Sequence, residues 1–469
     1  MICGGSTTDG QDSTRQWPYR LGLALVVGAY LVFAGLYALK VPKWNAPDEP
    51  AHFNYVKHLA TTGTLPVLQP GDYDQDYLLQ LTTARFPDSL PIDGLRYESH
   101  QPPLYYLLGA VVYKASEGAS LDRQVMALRA LSIFFGALLL LAVYALAGLT
   151  LPGRPLLALA ATAFVGAVPM QQFLSAAVQN DSLSLLVMTL VLAVLVAGLR
   201  YGFADRLALV LGLLLGLALL TKVTIYGAVP LALLAILVRR RWQVRPDLAS
   251  GGTTGGTLTF SVSRPAAGLG RQLALVGGPA LLVSGWWFVR NALTYGWLDP
   301  LIQARHAAVV VGQPRTVYSW QGLEYLATTT FQSFWAQFGW MGILVDRRLY
   351  QALLLLTVIG TVGLAVWLWR LTSGRERSDR PARWSLSLLG LSFFVVLGEF
   401  LYYNLTFIQA QGRYLFPALG PIGIFFAGGL LALAPRRLAW AGAVALWLAF
   451  LVLDYLCLFR FVAPYFGTA

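Results

Sequence analysis

Charged residues are scarce in this chain. Of its 469 residues, 12% are Asp, Glu, Lys or Arg and 57% are hydrophobic, and mean hydropathy is +0.61. Soluble domains carry about a quarter charged residues, so a soluble globular protein is excluded and a polytopic membrane protein is indicated. Cysteine is nearly absent as well. Cys3 and Cys457 stand far apart, which removes a disulfide framework and a cysteine zinc site from consideration. No A-x-A-like cleavage site precedes Lys40, so the apolar run 21–39 behind Arg15 and Arg20 reads as a retained signal anchor. Neither an internal repeat nor a soluble-domain stretch is visible, and residues 1–469 read as a single transmembrane domain.

What is present is a series of apolar runs of spanning length, at 21–39, 125–149, 155–177, 182–199, 206–221, 223–238, 272–289, 350–369, 385–403, 414–433 and 438–459. The expected fold is all-α with about eleven transmembrane helices. Pro102–Tyr113 is too short to cross and begins with two prolines, so it is expected to lie at the interface, a juxtamembrane helix of the first external loop. The net charge of +12 sits in short loops between spans: Arg239–Arg241, Arg370–Arg383 and Arg436–Arg437. This is the positive-inside pattern of a protein in a lipid bilayer, and it explains the charge without nucleic acid. Parity then gives a multi-pass cell-membrane protein with a cytoplasmic N-terminal tail at 1–20 and an extracytoplasmic C-terminus. Residues 239–271, with a Gly/Thr/Ser stretch at 250–263, form a flexible cytoplasmic loop; 40–124 and 290–349 form extracytoplasmic loops, the second with an aromatic segment.

Polar residues gather on that outer face. Asp48 and Glu49 open an expected amphipathic helix after Pro47, and Asp48, His52 and Tyr55 share one helical face. A carboxylate placed there can act as a general base, although helix capping explains an acid equally well, above all for Glu49. His52 is open to a structural hydrogen bond, to substrate contact, or to holding a divalent metal with Glu49. His100 and Gln101 precede the interfacial helix and point toward phosphate or sugar contact, whereas Tyr105 and Tyr106 suit anchoring at the headgroup level. Asn180 and Asp181 form a turn between spans on the same face and, like Glu49, are candidates for substrate contact, although such turns are common without function. Lys222, Arg290 and Arg413 add cations suited to a phosphate, with Gln411 beside Arg413 at a helix start. Phe331–Trp340 reads as an interfacial aromatic belt, with a sugar-stacking surface or a lid as alternatives.

These motifs together resemble the GT-C superfamily of lipid-phosphate-sugar-dependent glycosyltransferases, notably its protein O-mannosyltransferase and aminoarabinose transferase branch. The resemblance rests on Asp48-Glu49 after the first helix, His100-Gln101-Pro102-Pro103, the Gly216–Lys222 helix end, Arg290-Asn291, Ser333–Trp340 and Gln411–Tyr414. The set is closer still to an uncharacterised bacterial membrane family related to these enzymes. It implies a GT-C-like fold, a polyprenyl-phosphate-linked sugar donor and Asp48 as the catalytic base; with the outer face given by span parity, the expected reaction is inverting transfer to an acceptor hydroxyl on the extracytoplasmic face. Two departures stand out: Pro50 follows the acid pair, and His52 lies one position later than the mannosyltransferase histidine. A transporter or flippase of a lipid-linked glycan, or a non-catalytic lipid-binding subunit, are the alternatives. Repeated halves with broken midplane helices would favour the transporter, and neither is evident.

Overall fold

The computed structural model describes residues 8–243, 268–316, 318–376 and 378–468. The Gly/Thr/Ser stretch 250–263 and residues 1–7 of the N-terminal tail lie outside them. In chain order the helices are α1 (Thr8–Lys40), α2 (Glu49–Thr62), α3 (Gln75–Thr83), α4 (Leu104–Ala115), α5 (Leu121–Thr150), α6 (Pro155–Gly166), α7 (Pro169–Ser175), α8 (Asp181–Tyr201) and α9 (Asp205–Leu219). They continue as α10 (Ala228–Gln243), α11 (Leu269–Tyr295), α12 (Gln303–Val309), α13 (Trp320–Trp335), α14 (Arg347–Thr372), α15 (Arg380–Asn404), α16 (Leu419–Leu433), α17 (Ala439–Leu456) and α18 (Ala463–Phe466). A small antiparallel hairpin, β1 (Gln337–Phe338) with β2 (Ile343–Leu344), is the one sheet among the described residues. The protein is a multi-pass, all-α membrane protein.

Nine helical segments among the described residues are long and apolar enough to cross a bilayer, or ten if the bent pair α6–α7 is one span. The eleven expected runs differ at two places. The run 155–177 breaks by 63° between α6 and α7, where Pro169 lacks a donor N–H and biases Val168 to extended backbone. The run 206–221 yields α9, which stops after 15 residues, about 22 Å of helix against the ~30 Å of a hydrocarbon core. Pro102–Tyr113 forms the 12-residue α4, as its length required.

The lipid environment decides which faces are polar-free and which are packed. In α8, 83% of the apolar window is buried, which makes it the central helix, whereas α14 is 22% buried and turns Leu354, Leu355, Val358 and Val362 outward. An apolar exterior is expected where the surrounding solvent is lipid. Helices approach closely at glycines: a Cβ on Gly363 of α14 would stand 2.3 Å from the Gly429 carbonyl oxygen of α16.

The chain segments between spans are tied together at one end of the bundle. The Leu104 N–H donates to the Leu220 carbonyl at 2.8 Å, the Trp340 indole to the Trp44 carbonyl at 2.9 Å, and the Leu68 N–H to the Tyr295 hydroxyl at 2.9 Å. The other end carries the ion pairs Arg200–Asp379, Arg271–Asp205 and Arg154–Glu376. The aromatic segment 331–340 is not a surface belt. Trp335 packs against Phe164 and Phe450, and Phe338 against Tyr37 and Phe173, both residues being buried.

Candidate functional site

Asp48 ends the turn after α1 with φ 66°, a left-handed conformation uncommon for a side-chain-bearing residue. That backbone turns it away from capping α2, whose first residue is Glu49, and toward the centre of the loop end. Its Oδ1 accepts from the Tyr97 hydroxyl at 3.0 Å, and its Oδ2 from Arg413. The two sides of this contact lie 365 residues apart in sequence. Burial raises the Asp48 carboxyl, but Arg413, His52 and the hydrogen bonds from Arg413 and Tyr97 outweigh it and hold the group below the ordinary carboxylate value. It is an ionised carboxylate, and it keeps partial access to solvent, with 22% of its side chain exposed.

Arg413 is placed by a tight backbone crossing. It belongs to a 3-10 segment, Gly412–Ala418, that leads into α16 rather than to a regular helix start. Gly412 donates its N–H to the Ser333 hydroxyl at 2.7 Å, and a Cβ there would sit 2.3 Å from the Thr330 carbonyl oxygen and 2.4 Å from the Phe334 nitrogen. Gln411 donates to the Gln409 side chain at 3.0 Å, leaving its own buried carbonyl oxygen without a partner.

A second ion pair stands beside the first. Lys222, at the break after α9, meets Asp181 at the start of α8. The Asn180 amide donates to the Thr221 carbonyl at 3.3 Å and to Gln101 at 3.4 Å, so the two turns and the His100-Gln101 segment are joined. His52 puts Nδ1 2.7 Å from the Tyr106 hydroxyl and lies within electrostatic reach of Glu98, Asp48, Lys222 and Asp181. Burial carries its imidazole below the ordinary histidine value against the pull of Glu98 and Asp48. His100 donates from Nδ1 to the Tyr97 carbonyl at 2.8 Å, which leaves Nε2 as the acceptor facing the Gln101 amide at 3.2 Å. Burial brings its pKa down to about 4, and its ring centroid lies 4.4 Å from that of His306, lowered by burial to about 3.

The structure thus brings Asp48, His52, His100, Gln101, Asn180, Asp181, Lys222, Gln411 and Arg413 into one neighbourhood. Arg290 lies at its edge: it donates to the Pro66 carbonyl at 2.7 Å, lies over the rings of Trp287 and Tyr295, and is within electrostatic reach of Tyr55, whose hydroxyl donates to the Gln101 carbonyl. Glu49 corrects the sequence expectation most clearly. It is fully buried, and Arg129 of α5 donates Nε to Oε1 at 2.8 Å and Nη2 to Oε2 at 2.7 Å; the Val178 and Trp44 N–H groups complete its coordination. Arg129 also holds the Ala38 and Val41 carbonyls at the end of α1. With both oxygens so engaged, and His52 turned to Tyr106, the Glu49–His52 metal pair does not fit; no group of three or more His, Cys, Asp or Glu suited to a metal occurs among the described residues. Sequence reading passed over Tyr97, Glu98, Arg129 and His306. Glu98 stands two residues before His100, and Arg129 is a charge inside an apolar run, itself a signal.

Residues 100–263 match the family described as dolichyl-phosphate-mannose-protein mannosyltransferase. That stretch contains His100–Pro103 and the Gly216–Lys222 helix end, and the match supports the class read from the motifs, a GT-C superfamily membrane glycosyltransferase. Among solved structures, the chain is similar to ArnT from Cupriavidus metallidurans in the apo state (18% identity, TM-score 0.49, covering 92% of this chain and 62% of that one). ArnT bound to undecaprenyl phosphate gives 17% identity and a TM-score of 0.48 over the same shares. The oligosaccharyltransferase of Archaeoglobus fulgidus, in complex with Zn and sulfate, gives 14% and 0.48, covering 92% of this chain and 52% of that one. The chain spans between about half and three fifths of the length of these structures. Compared with curated proteins, it finds no match.

Proposed function

We propose that the protein transfers a sugar from a polyprenyl-phosphate donor to an acceptor hydroxyl at the extracytoplasmic face of the cell membrane, with inversion. The observation that carries the reading is the Asp48 carboxylate, ionised, partly open to solvent and held by Arg413 and Tyr97 beside the Lys222–Asp181 pair. Asp48 takes the proton of the acceptor hydroxyl. The acceptor oxygen forms its bond to the anomeric carbon as the bond from that carbon to the phosphate oxygen breaks, and the electron pair leaves with polyprenyl phosphate. A single base suffices, because a phosphate leaving group needs charge stabilisation more than a strong acid. Arg413 and Lys222 are the cations suited to it; each has a carboxylate partner that the phosphate would share.

An apolar groove supports the lipid part of the donor. Its volume is about 730 Å³, and Phe331, Phe334, Leu415, Ile422, Phe425 and Phe426 are among its lining residues. Leu415 lies two residues beyond Arg413, so a prenyl chain in the groove would bring its phosphate end toward the cation. The test is to incubate purified protein with a polyprenyl-phosphate sugar and an acceptor, and to measure free lipid phosphate and the product's anomeric configuration. Released lipid phosphate with inverted product supports the reading. A donor moved across a bilayer with its sugar bond intact would replace it with transport.

A further inference from the structure

Around the site each cation faces a carboxylate: Arg413 faces Asp48, Lys222 faces Asp181, and Arg129 faces Glu49 close by. Glu98 is the acid left over. It is 9% exposed, and its Oε2 has neither an ion-pair nor a hydrogen-bond partner among the described residues. Gln101, whose backbone N–H donates to the Glu98 carbonyl at 2.9 Å, lies on one side of it. His52, Lys222, Tyr97, Tyr106, Tyr403 and Tyr414 lie within electrostatic reach of Glu98, and so does Asp48. A buried carboxyl oxygen without a donor is costly, and a native structure that keeps one in a polar site has a partner to bring to it.

We propose that Glu98 is a specificity-determining residue that accepts hydroxyl groups of the transferred sugar and turns away sugars that carry a carboxylate. This rests on the glycosyl-transfer reading above and goes further, to the class of sugar. A phosphate belongs with Arg413 and Lys222; Glu98 has Lys222 and His52 within electrostatic reach but forms no ion pair of its own. A hydroxyl donates to Oε2 whether Glu98 is ionised or protonated, because one oxygen accepts in either form; burial, helped by Asp48 and opposed by His52 and Lys222, keeps the group above the ordinary carboxylate value. Tyr403 and Tyr414, the two of the surrounding phenol rings that are half-buried rather than buried, offer faces for the C–H side of a pyranose. A uronic acid would place a second carboxylate against Glu98, where Lys222, the cation in reach, is already paired with Asp181.

The experiment compares three lipids on wild-type protein and on Glu98→Gln: polyprenyl phosphate, a polyprenyl-phosphate hexose and the matching hexuronate. Wild type is expected to favour hexose over hexuronate by at least about tenfold in kcat/KM. Glu98→Gln should raise KM for the hexose donor about tenfold with kcat little changed, narrow the discrimination, and leave polyprenyl-phosphate binding as it was. Glu98→Asp, which keeps the charge on a shorter stem, should lose hexose affinity yet still reject hexuronate; it carries the test if Glu98→Gln does not fold. An unchanged hexose KM, or an equal loss of polyprenyl-phosphate binding, overturns the assignment while glycosyl transfer stands. Wild-type protein that turns over no polyprenyl-phosphate sugar overturns the parent reading and this inference with it.

Discussion

Asp48 and Glu49 are neighbours with opposite tasks, and the cause is one backbone angle. The left-handed turn at Asp48 sends its carboxylate to Arg413, while Glu49, the first helical residue, delivers its own to Arg129. Removing one partner of a buried ion pair leaves an uncompensated charge and costs roughly 3–5 kcal/mol. Glu49→Gln should therefore lower thermal stability markedly; a variant that melts like wild type and has lost only turnover would return Glu49 to the chemistry. Sequence pattern set Glu49 apart as the acid better explained by capping, but not as an ion-pair partner, because that depends on Arg129, 80 residues away. The pH dependence of Asp48 carries a sign. Its folded value lies below the ordinary carboxylate range, so the base remains ionised down through that range, and the pairing stabilises the fold above it and is lost as pH falls through the folded value. Replacing Arg413 removes the largest opposing influence on burial. In Arg413→Gln, the acid limb of kcat should move to higher pH, read from a pH–rate profile at saturating donor, and an unmoved limb would contradict the pairing.

At the scale of elements, the turns between spans make the site, and helices only carry them. Lys222 and Asp181 sit at helix ends, and Arg413 sits on a 3-10 segment pressed against α13. These positions were legible because polar residues at the ends of apolar runs stand out against their surroundings. Their pairing was not legible, since it joins turns distant in sequence. Span number was legible except where a proline broke one run and a lysine-bearing turn shortened another. The aromatic segment misled because its composition suits an interface belt, while its burial is set by the hairpin that folds it inward. Gly412 gives the element-scale prediction: Gly412→Ala must push the crossing apart from Thr330 and Phe334, an overpacking worth about 1–3 kcal/mol. Titration with a polyprenyl-phosphate donor should show weakened binding as Arg413 is displaced; unchanged affinity would show that the crossing does not set its position.

For the whole molecule, the bundle has a polar, hydrogen-bonded end and an end held by arginine–carboxylate pairs. Arginine in the short loops of the second end predicts that it faces the cytoplasm and that the site faces outward. A single cysteine introduced at Gly71, in the first loop, should react with a membrane-impermeant thiol reagent in intact cells; reaction only after the membrane is opened would reverse the orientation. Among these claims, base catalysis by Asp48 is the one on which the functional account depends. Its most direct measurement is the transfer rate of purified Asp48→Asn with a polyprenyl-phosphate sugar and acceptor, beside wild type and with folding checked by melting temperature. The account predicts a folded protein slowed by about 100- to 10,000-fold. A folded Asp48→Asn that transfers sugar at the wild-type rate would contradict it.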